Sequence, residues 1–225
     1  MVKNSKKAPS PRIVRKRKRT EREILEIAHS IVSESGPTAV TLASVAGRLG
    51  MTKQSLYHYF ASKEALTRAL VTNLLDQEIE ALLAAVARQT SDQKVLGALI
   101  KAFHAHYVNN LGAFRAIYCG TQMYAPSASD MDEATLREAI HPRTRRLFDV
   151  LEQRLAGEAA SKAERRRARQ LAFTAWTSAL GLVTMLGVAD ATNDPIMHPV
   201  PALLRTLALV YDDAATTSLP ARRDH

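Results

Sequence analysis

Apolar residues recur at three- and four-residue intervals along most of the chain, the spacing of one face of an α-helix. Ile24, Ala28, Ile31 and Val32 mark the first face. Thr20-Glu21-Arg22-Glu23 precedes it in capping-box form, and Gly36-Pro37 ends it near Ser35. Leu42, Val45, Ala46 and Leu49 predict a short second helix over about Thr41–Leu49. Gly50 follows, where a helix C-terminus favours a residue that tolerates a left-handed backbone. Thr52 can cap a third helix, about Thr52–Tyr59, that turns Leu56 and Phe60 inward. A fourth helix starts at Ser62 and runs to about Arg88.

Farther on the same periodicity continues. Leu96, Ile100, Phe103 and Tyr107 share a face of a helix near 93–109. Ala113–Tyr124 reads as helix or turn, Ala125–Asp130 as a loop, and Glu133–Leu155 as a helix that Pro142 could kink. Ser161-Lys162-Ala163-Glu164 is a second capping box, opening a long helix to about Val188. Asn193–Pro201, with three prolines, reads as a loop or a helix start, and Ala202–Tyr211 as the last helix. No run of alternating β-branched residues suggests a sheet, so the fold class is all-α.

Thr41–Lys63 carries the first functional signal. Two short helices joined by a tight turn form a helix–turn–helix, which lays its second helix in the major groove of DNA. Lys53, Gln54 and Tyr57 face outward on that helix. A lysine can donate to guanine O6 and N7, and a glutamine can pair with adenine N6 and N7. Tyr57 can bond a phosphate or lie against a thymine methyl, while Ser55 and Tyr59 suit phosphate contacts. Thr41 and Lys63 each begin a helix, where backbone N–H groups favour an anion. Thr52 and His58 complete the candidate set. Each has a plainer reading: Thr41 as a cap, Lys53 as a solvated lysine, the tyrosines as core. Phe60 reads as core.

The stretch Leu56-Tyr57-His58-Tyr59-Phe60, followed by Ser62-Lys63-Glu64-Ala65-Leu66, is more specific than a bare helix–turn–helix. Over roughly Thr20–Leu75 the chain resembles the TetR family of bacterial transcriptional regulators. The resemblance supports DNA contacts at Thr41, Lys53, Gln54, Ser55, Tyr57, Tyr59 and Lys63. One departure is Gln54, where many members have a small residue, so an operator sequence does not carry over. The resemblance implies an N-terminal three-helix DNA-binding domain over 20–66. It also implies a C-terminal helical ligand-binding and dimerisation bundle over 67–215. A ligand between the bundle's helices would shift the fourth helix and change the spacing of two DNA-binding heads on a dimer.

Composition and charge adjust this picture in three places. The net charge of +9 comes from residues 1–19, which hold Lys3, Lys6, Lys7, Arg12, Arg15, Lys16, Arg17, Lys18 and Arg19 and no acid. They read as a disordered basic arm that adds attraction to phosphates; a merely solubilising tail is the plainer alternative. Residues 216–225 read as a frayed tail. Secondly, the single cysteine, Cys119, excludes an intrachain disulfide, and no apolar core follows the N-terminal charges. Both fit a cytoplasmic protein. Thirdly, Leu171–Ala189 runs without a charge and is long enough to consider as a membrane span. Thr174, Thr177, Ser178, Thr184, Gly181 and Gly187 argue instead for a helix buried on all sides and no membrane contact.

In the resembled family the last two helices pair with those of a second subunit. Ala175, Ala179, Leu182, Val183 and Leu186, with Leu203, Leu204, Leu207 and Val210, would form that homodimer interface. Phe103, His104, Tyr107, Tyr118, Met123, Tyr124, Phe148, Phe173 and Trp176 are larger than the Ala-rich background and are candidates for the ligand pocket. Ordinary core packing is the plainer reading of each. His104 and His106 sit two apart on a helix and point away from each other, so no metal site is expected. No phosphate-cradling glycine loop, nucleophile–base spacing or paired carboxylates call for a cofactor or an active site. The expectation is a dimeric repressor, released from a pseudo-palindromic double-stranded operator by a small, largely apolar effector. An architectural DNA-binding protein without ligand control is the alternative, and a helical enzyme a remote third.

Overall fold

The computed structural model describes residues 10–119, 136–193 and 199–218. Among them all regular structure is helical. The order is α1 (Pro11–Ser35), α2 (Leu42–Leu49), α3 (Lys53–Tyr57), α4 (Lys63–Ala87), α5 (Val95–Tyr107) and α6 (Leu111–Phe114). Then come α7 (His141–Ala156), α8 (Lys162–Thr192) and α9 (Val200–Ser218). A π-helical turn, Arg115–Cys119, prolongs α6, and another, Leu136–Ile140, precedes α7. Pro142 sits in the first turn of α7, where its missing N–H costs nothing.

The first three helices pack as a small head, with α1 against α2 and α2 against α3. The others form the bundle, in which α5 is central and touches α4, α8 and α9. One core runs through both, from Ile24, Val45 and Leu56 to Leu99, Phe103 and Leu151. The four positions expected on the α1 face and the four expected on α5 are all buried.

Three features tie the head to the bundle. The first is α4, which begins beside α3 and continues unbroken into the bundle, so the expected boundary at residues 66–67 falls inside a helix. The second is α6 against the end of α1. Gly112 lies so close there that a Cβ would be driven into the Val32 carbonyl oxygen. The third is Asn110, which caps α6: its Oδ1 accepts from Ser33 Oγ at 3.1 Å, and its Nδ2 stands 2.8 Å from His29 Nε2. Bidentate Arg143–Asp76 contacts of 2.6 and 3.0 Å join α7 to α4. On the far side, Asp212 of α9 accepts from the Gly97 N–H at 2.8 Å.

Several expectations are corrected. Residues 11–19 are not a disordered arm; they form the start of α1. Pro11 occupies the first turn after Ser10, and the Arg17–Glu21 and Arg19–Glu23 pairs, 2.8 and 2.9 Å, staple successive turns across Thr20. Likewise α9 continues through Tyr211 to Ser218, so residues 216–218 are helix rather than frayed tail. The apolar helix α8 is long enough to cross a membrane by length and composition, but it is not buried on all sides. It sinks Ala168, Ala172, Ala175, Ala179 and Val183 into the core and leaves Phe173, Met185 and Val188 exposed. Ala175, Ala179 and Val183 are therefore withdrawn from the expected dimer interface, because the chain's own core already covers them. Met123, Tyr124 and the expected loop Ala125–Asp130 lie outside the described residues.

Candidate nucleic-acid interface

The head is assembled by local hydrogen bonds that the sequence writes directly. Thr41 caps α2, accepting from the Ser44 N–H at 3.0 Å, and Ser44 Oγ accepts from the Thr41 N–H at 2.9 Å. Such reciprocal bonds satisfy donors that a helix start leaves open. Gly50 ends α2 at φ 63°, ψ 25°, the left-handed region that favours glycine. The turn is therefore tight, and Thr52 at once caps α3 through the Ser55 N–H at 3.1 Å. Ser62 caps α4 through the Ala65 N–H at 3.2 Å.

Burial then sorts the two faces of α3. Leu56 has no exposure and Phe60 little, so they anchor the helix on α1 and α2. Lys53, Gln54, Tyr57 and His58 are exposed, and Ser55 and Tyr59 half-buried. Tyr57 is 41% exposed, far more than a large aromatic ring needs to be if packing were its role. The Lys53 ammonium lies 5.9 Å from the centre of the Tyr57 ring, which holds both side chains at the outer face. The helix is shorter than expected, five residues ending at Tyr57, with His58 and Tyr59 in the turn that follows. Thr41 and Lys63 are exposed at the starts of α2 and α4. Of the nine candidate residues seven are exposed, Thr41, Thr52, Lys53, Gln54, Tyr57, His58 and Lys63, and two are half-buried, Ser55 and Tyr59.

One contact escaped the sequence reading. The Arg17 guanidinium stands 5.7 Å from the centre of the Tyr59 ring. The basic start of α1 is thereby drawn beside the end of α3, adding positive charge next to the outward face. The helical start of α1 was signalled by Arg17 and Glu21 at helical spacing across Thr20. Behind the face, Arg48 of α2 pairs with Glu34 of α1 at 2.6 Å. Hydrogen bonds from Arg48 and Ser30 bring the Glu34 carboxyl down to about 2.

In the bundle, six of the nine candidate pocket residues fall into one ring cluster. Phe103, Tyr107, Tyr118 and Trp176 contact one another, with Phe148 and Phe173 beyond Trp176. Phe114, not among the candidates, joins the cluster between Phe103 and Tyr118. His104 is half-buried on α5 but outside the ring cluster, and burial pushes its imidazole down. At the centre stands a residue the sequence reading passed over, Glu78 of α4, with no exposure. An acid at a core position of a helix, four residues after Leu74 and four before Leu82, was the signal available.

An exposed recognition face on a buried anchor, carried by an all-helical bundle, defines a helix–turn–helix DNA-binding domain with a helical companion domain. Residues 24–70 match the family model of bacterial regulatory proteins, tetR family. The chain is 41% identical over 54 residues to the HTH-type transcriptional repressor KstR2 of Mycobacterium tuberculosis, spanning 24% of this chain and 27% of that one. A TetR/AcrR-family transcriptional regulator from Thermobifida fusca shares the fold, with a TM-score of 0.61 at 20% identity over 87% of this chain and 97% of that one. So does FadR of Bacillus subtilis, solved with stearoyl-CoA, with a TM-score of 0.59 at 14% identity over 88% and 99%. Residues 24–70 thus match the TetR family of bacterial regulatory proteins in sequence, and the described residues share the fold of a solved TetR/AcrR-family regulator. The chain spans only about a quarter of the length of the curated relative.

Proposed function

We propose that this protein is a dimeric, sequence-specific DNA-binding repressor, released from a pseudo-palindromic operator by a small, largely apolar ligand held in the bundle. The reading rests on one observation above the rest: Lys53, Gln54 and Tyr57 stand exposed on a helix whose opposite side is fixed by fully buried Leu56. A helix so anchored keeps its outward face rigid, which base readout needs. The arginines and lysines of α1, with Arg17 against Tyr59, add phosphate attraction beside it.

Dimerisation is assigned to α8 and α9. Met185, Val188, Leu209 and Val210 are exposed there, and Leu182, Leu186, Leu203, Leu204 and Leu207 are half-buried. An apolar strip of this extent is what a second copy would cover. Two heads on such a dimer would read successive major grooves, about one helical turn or a little more apart. The ring cluster supplies an apolar site with polar tips, and FadR, a fold neighbour, was solved in complex with stearoyl-CoA. Release works if the ligand prefers a position of α4 or α6 that misplaces the heads.

The test is selection of random duplex DNA by the purified protein, with a Lys53→Ala/Tyr57→Ala double variant as control. An inverted-repeat site that is lost in the control is the expected result. Equal enrichment by the control, or enrichment of no sequence, overturns the assignment and leaves a sequence-independent, architectural binder.

A further inference from the structure

Glu78 breaks the apolar pattern of α4 at a core position, and it has no exposure. A carboxyl buried so completely is tolerated only if its lone pairs are met. Tyrosines from two other elements meet them. Tyr107 of α5 donates its hydroxyl to Oε2. Tyr118, from the π-helical turn, donates to the same carboxyl, 2.8 Å from Oε1 and 2.7 Å from Oε2. The indole of Trp176 on α8 also pulls the carboxyl toward its ionised form. All three groups are neutral, and no lysine or arginine among the described residues pairs with this acid.

The rings support the same reading. Tyr107 and Tyr118, which touch the carboxyl, belong to a cluster with Phe103 and Trp176 whose neighbouring centroids are 5.1 to 6.5 Å apart. The face of an aromatic ring carries negative potential. Carboxyl and rings therefore favour one thing the cluster lacks, a positive charge with an apolar body. The ring cluster also reaches the surface. Phe173 is 51% exposed and stacks at 5.7 Å on Trp176, which is half-buried and touches Tyr118 at 5.9 Å.

We propose that Glu78, framed by Tyr107, Tyr118 and Trp176, is the binding site of an organic cation, an ammonium group on an apolar skeleton. This rests on the reading of the bundle as the ligand-sensing domain and names the chemistry that domain selects. The cationic head lies beside the Glu78 carboxyl and against the neighbouring rings, and the apolar body lies along the rings toward Phe173. A neutral alcohol can offer the carboxyl only a hydrogen bond of the kind the tyrosines already give, and an anion is repelled by its ionised form. The site also places the ligand's charge where it acts on the head. Glu78 is part of α4, whose first turn holds Lys63, and Tyr118 ends the segment that begins at Asn110 and Gly112 against α1.

Trp176 is the only tryptophan in the chain, so its fluorescence reports on this site alone. The full chain is titrated with decyltrimethylammonium, decanol and decanoate, each below its micellar concentration. The expected result is saturable quenching by the ammonium, about tenfold tighter than by decanol, and no response to decanoate. Glu78→Gln keeps two polar positions for the tyrosines and removes the charge, and in it the ammonium and decanol bind alike. Equal binding of ammonium and alcohol by the unaltered chain, or failure of all three, overturns the inference. So does ammonium binding that survives Glu78→Gln. If that variant does not fold, the tail-matched series on the unaltered chain decides. A mobility shift on the selected duplex without ligand is run alongside. Retained operator binding without cation preference sinks only the cation site, whereas absent operator binding sinks the repressor reading itself.

Discussion

The head and the bundle are built on opposite plans. In the head, each turn is fixed by residues three or four apart: Thr41 with Ser44, Thr52 with Ser55, Ser62 with Ala65. Its polar groups lie outside and its core is wholly apolar. In the bundle, the decisive polar contacts join residues far apart in the chain, Glu78 with Tyr107 and Tyr118, and they lie inside. The first plan makes a rigid presenting surface from local rules. The second makes a centre whose free energy depends on four helical elements keeping their places, which is how a site can report on helix position.

Deleting the anchor of the head gives the largest effect. Leu56→Ala empties a fully buried position, and about 2–5 kcal/mol of stability should go with it. Urea denaturation measures the loss, and an effect below about 1 kcal/mol would show that the head does not rest on its local core. The counterpart in the bundle is Tyr107→Phe, which removes one donor from a buried carboxyl. A cost of about 1–3 kcal/mol is expected at neutral pH. Glu78→Leu removes the acid but takes the acceptor from both the Tyr107 and the Tyr118 hydroxyls, and should cost at least as much. A smaller cost than that of Tyr107→Phe would mean that burying the acid outweighs its hydrogen bonds.

The same centre should also carry a pH signature. Burial pushes the Glu78 carboxyl above the usual carboxylate range, outweighing the Tyr107 and Tyr118 hydrogen bonds and the Trp176 indole, which pull it down. The folded state thus holds the proton more tightly than the unfolded one. Stability from this group is full below the ordinary glutamate range and is lost as pH rises through the raised value. Denaturation of the unaltered chain and of Glu78→Gln at about pH 5 and about pH 8 checks this. The unaltered chain should lose more on going to the higher pH. Parallel losses would place the charge cost elsewhere.

The two plans also decide what the sequence discloses. Caps, the Gly50 turn and the inward Leu56 are read from neighbours in the chain, so the outward set Lys53, Gln54 and Tyr57 was legible before any coordinates. The start of α1 was misjudged because nine basic residues outweighed the two i,i+4 pairs that make it helical. In the bundle, periodicity found the α5 face and the aromatic members, but not what they surround. Glu78 was hidden because its partners lie on other elements, and spacing along one helix does not show convergence. For the same reason Ala175, Ala179 and Val183 could not be sorted between the chain's own core and an interface. Small residues permit close packing on either side, and only the position of α5 and α7 decides which.

On the DNA-facing side the expected effects are smaller and spare the fold. Lys53→Ala should leave the melting temperature unchanged and weaken operator binding by about 1–3 kcal/mol, read by fluorescence anisotropy. It should also relax the preference at one base position. Uniform weakening across sequences would make Lys53 a phosphate contact instead.

The finest distinction concerns Thr41, where the head's local plan and its proposed DNA contact use one hydroxyl. The cap alone predicts that Thr41→Ala costs about 1 kcal/mol of stability. Thr41→Ser keeps the oxygen that accepts the Ser44 N–H and should restore that stability. If the exposed side chain also meets a phosphate, Thr41→Ala lowers operator affinity beyond what the folded fraction explains, and the salt dependence of binding changes with it. Thr41→Ser then recovers both properties. Full affinity of the folded Thr41→Ala protein would make Thr41 a cap and nothing more. The recognition surface would then shrink to the residues that α3 and the start of α4 present.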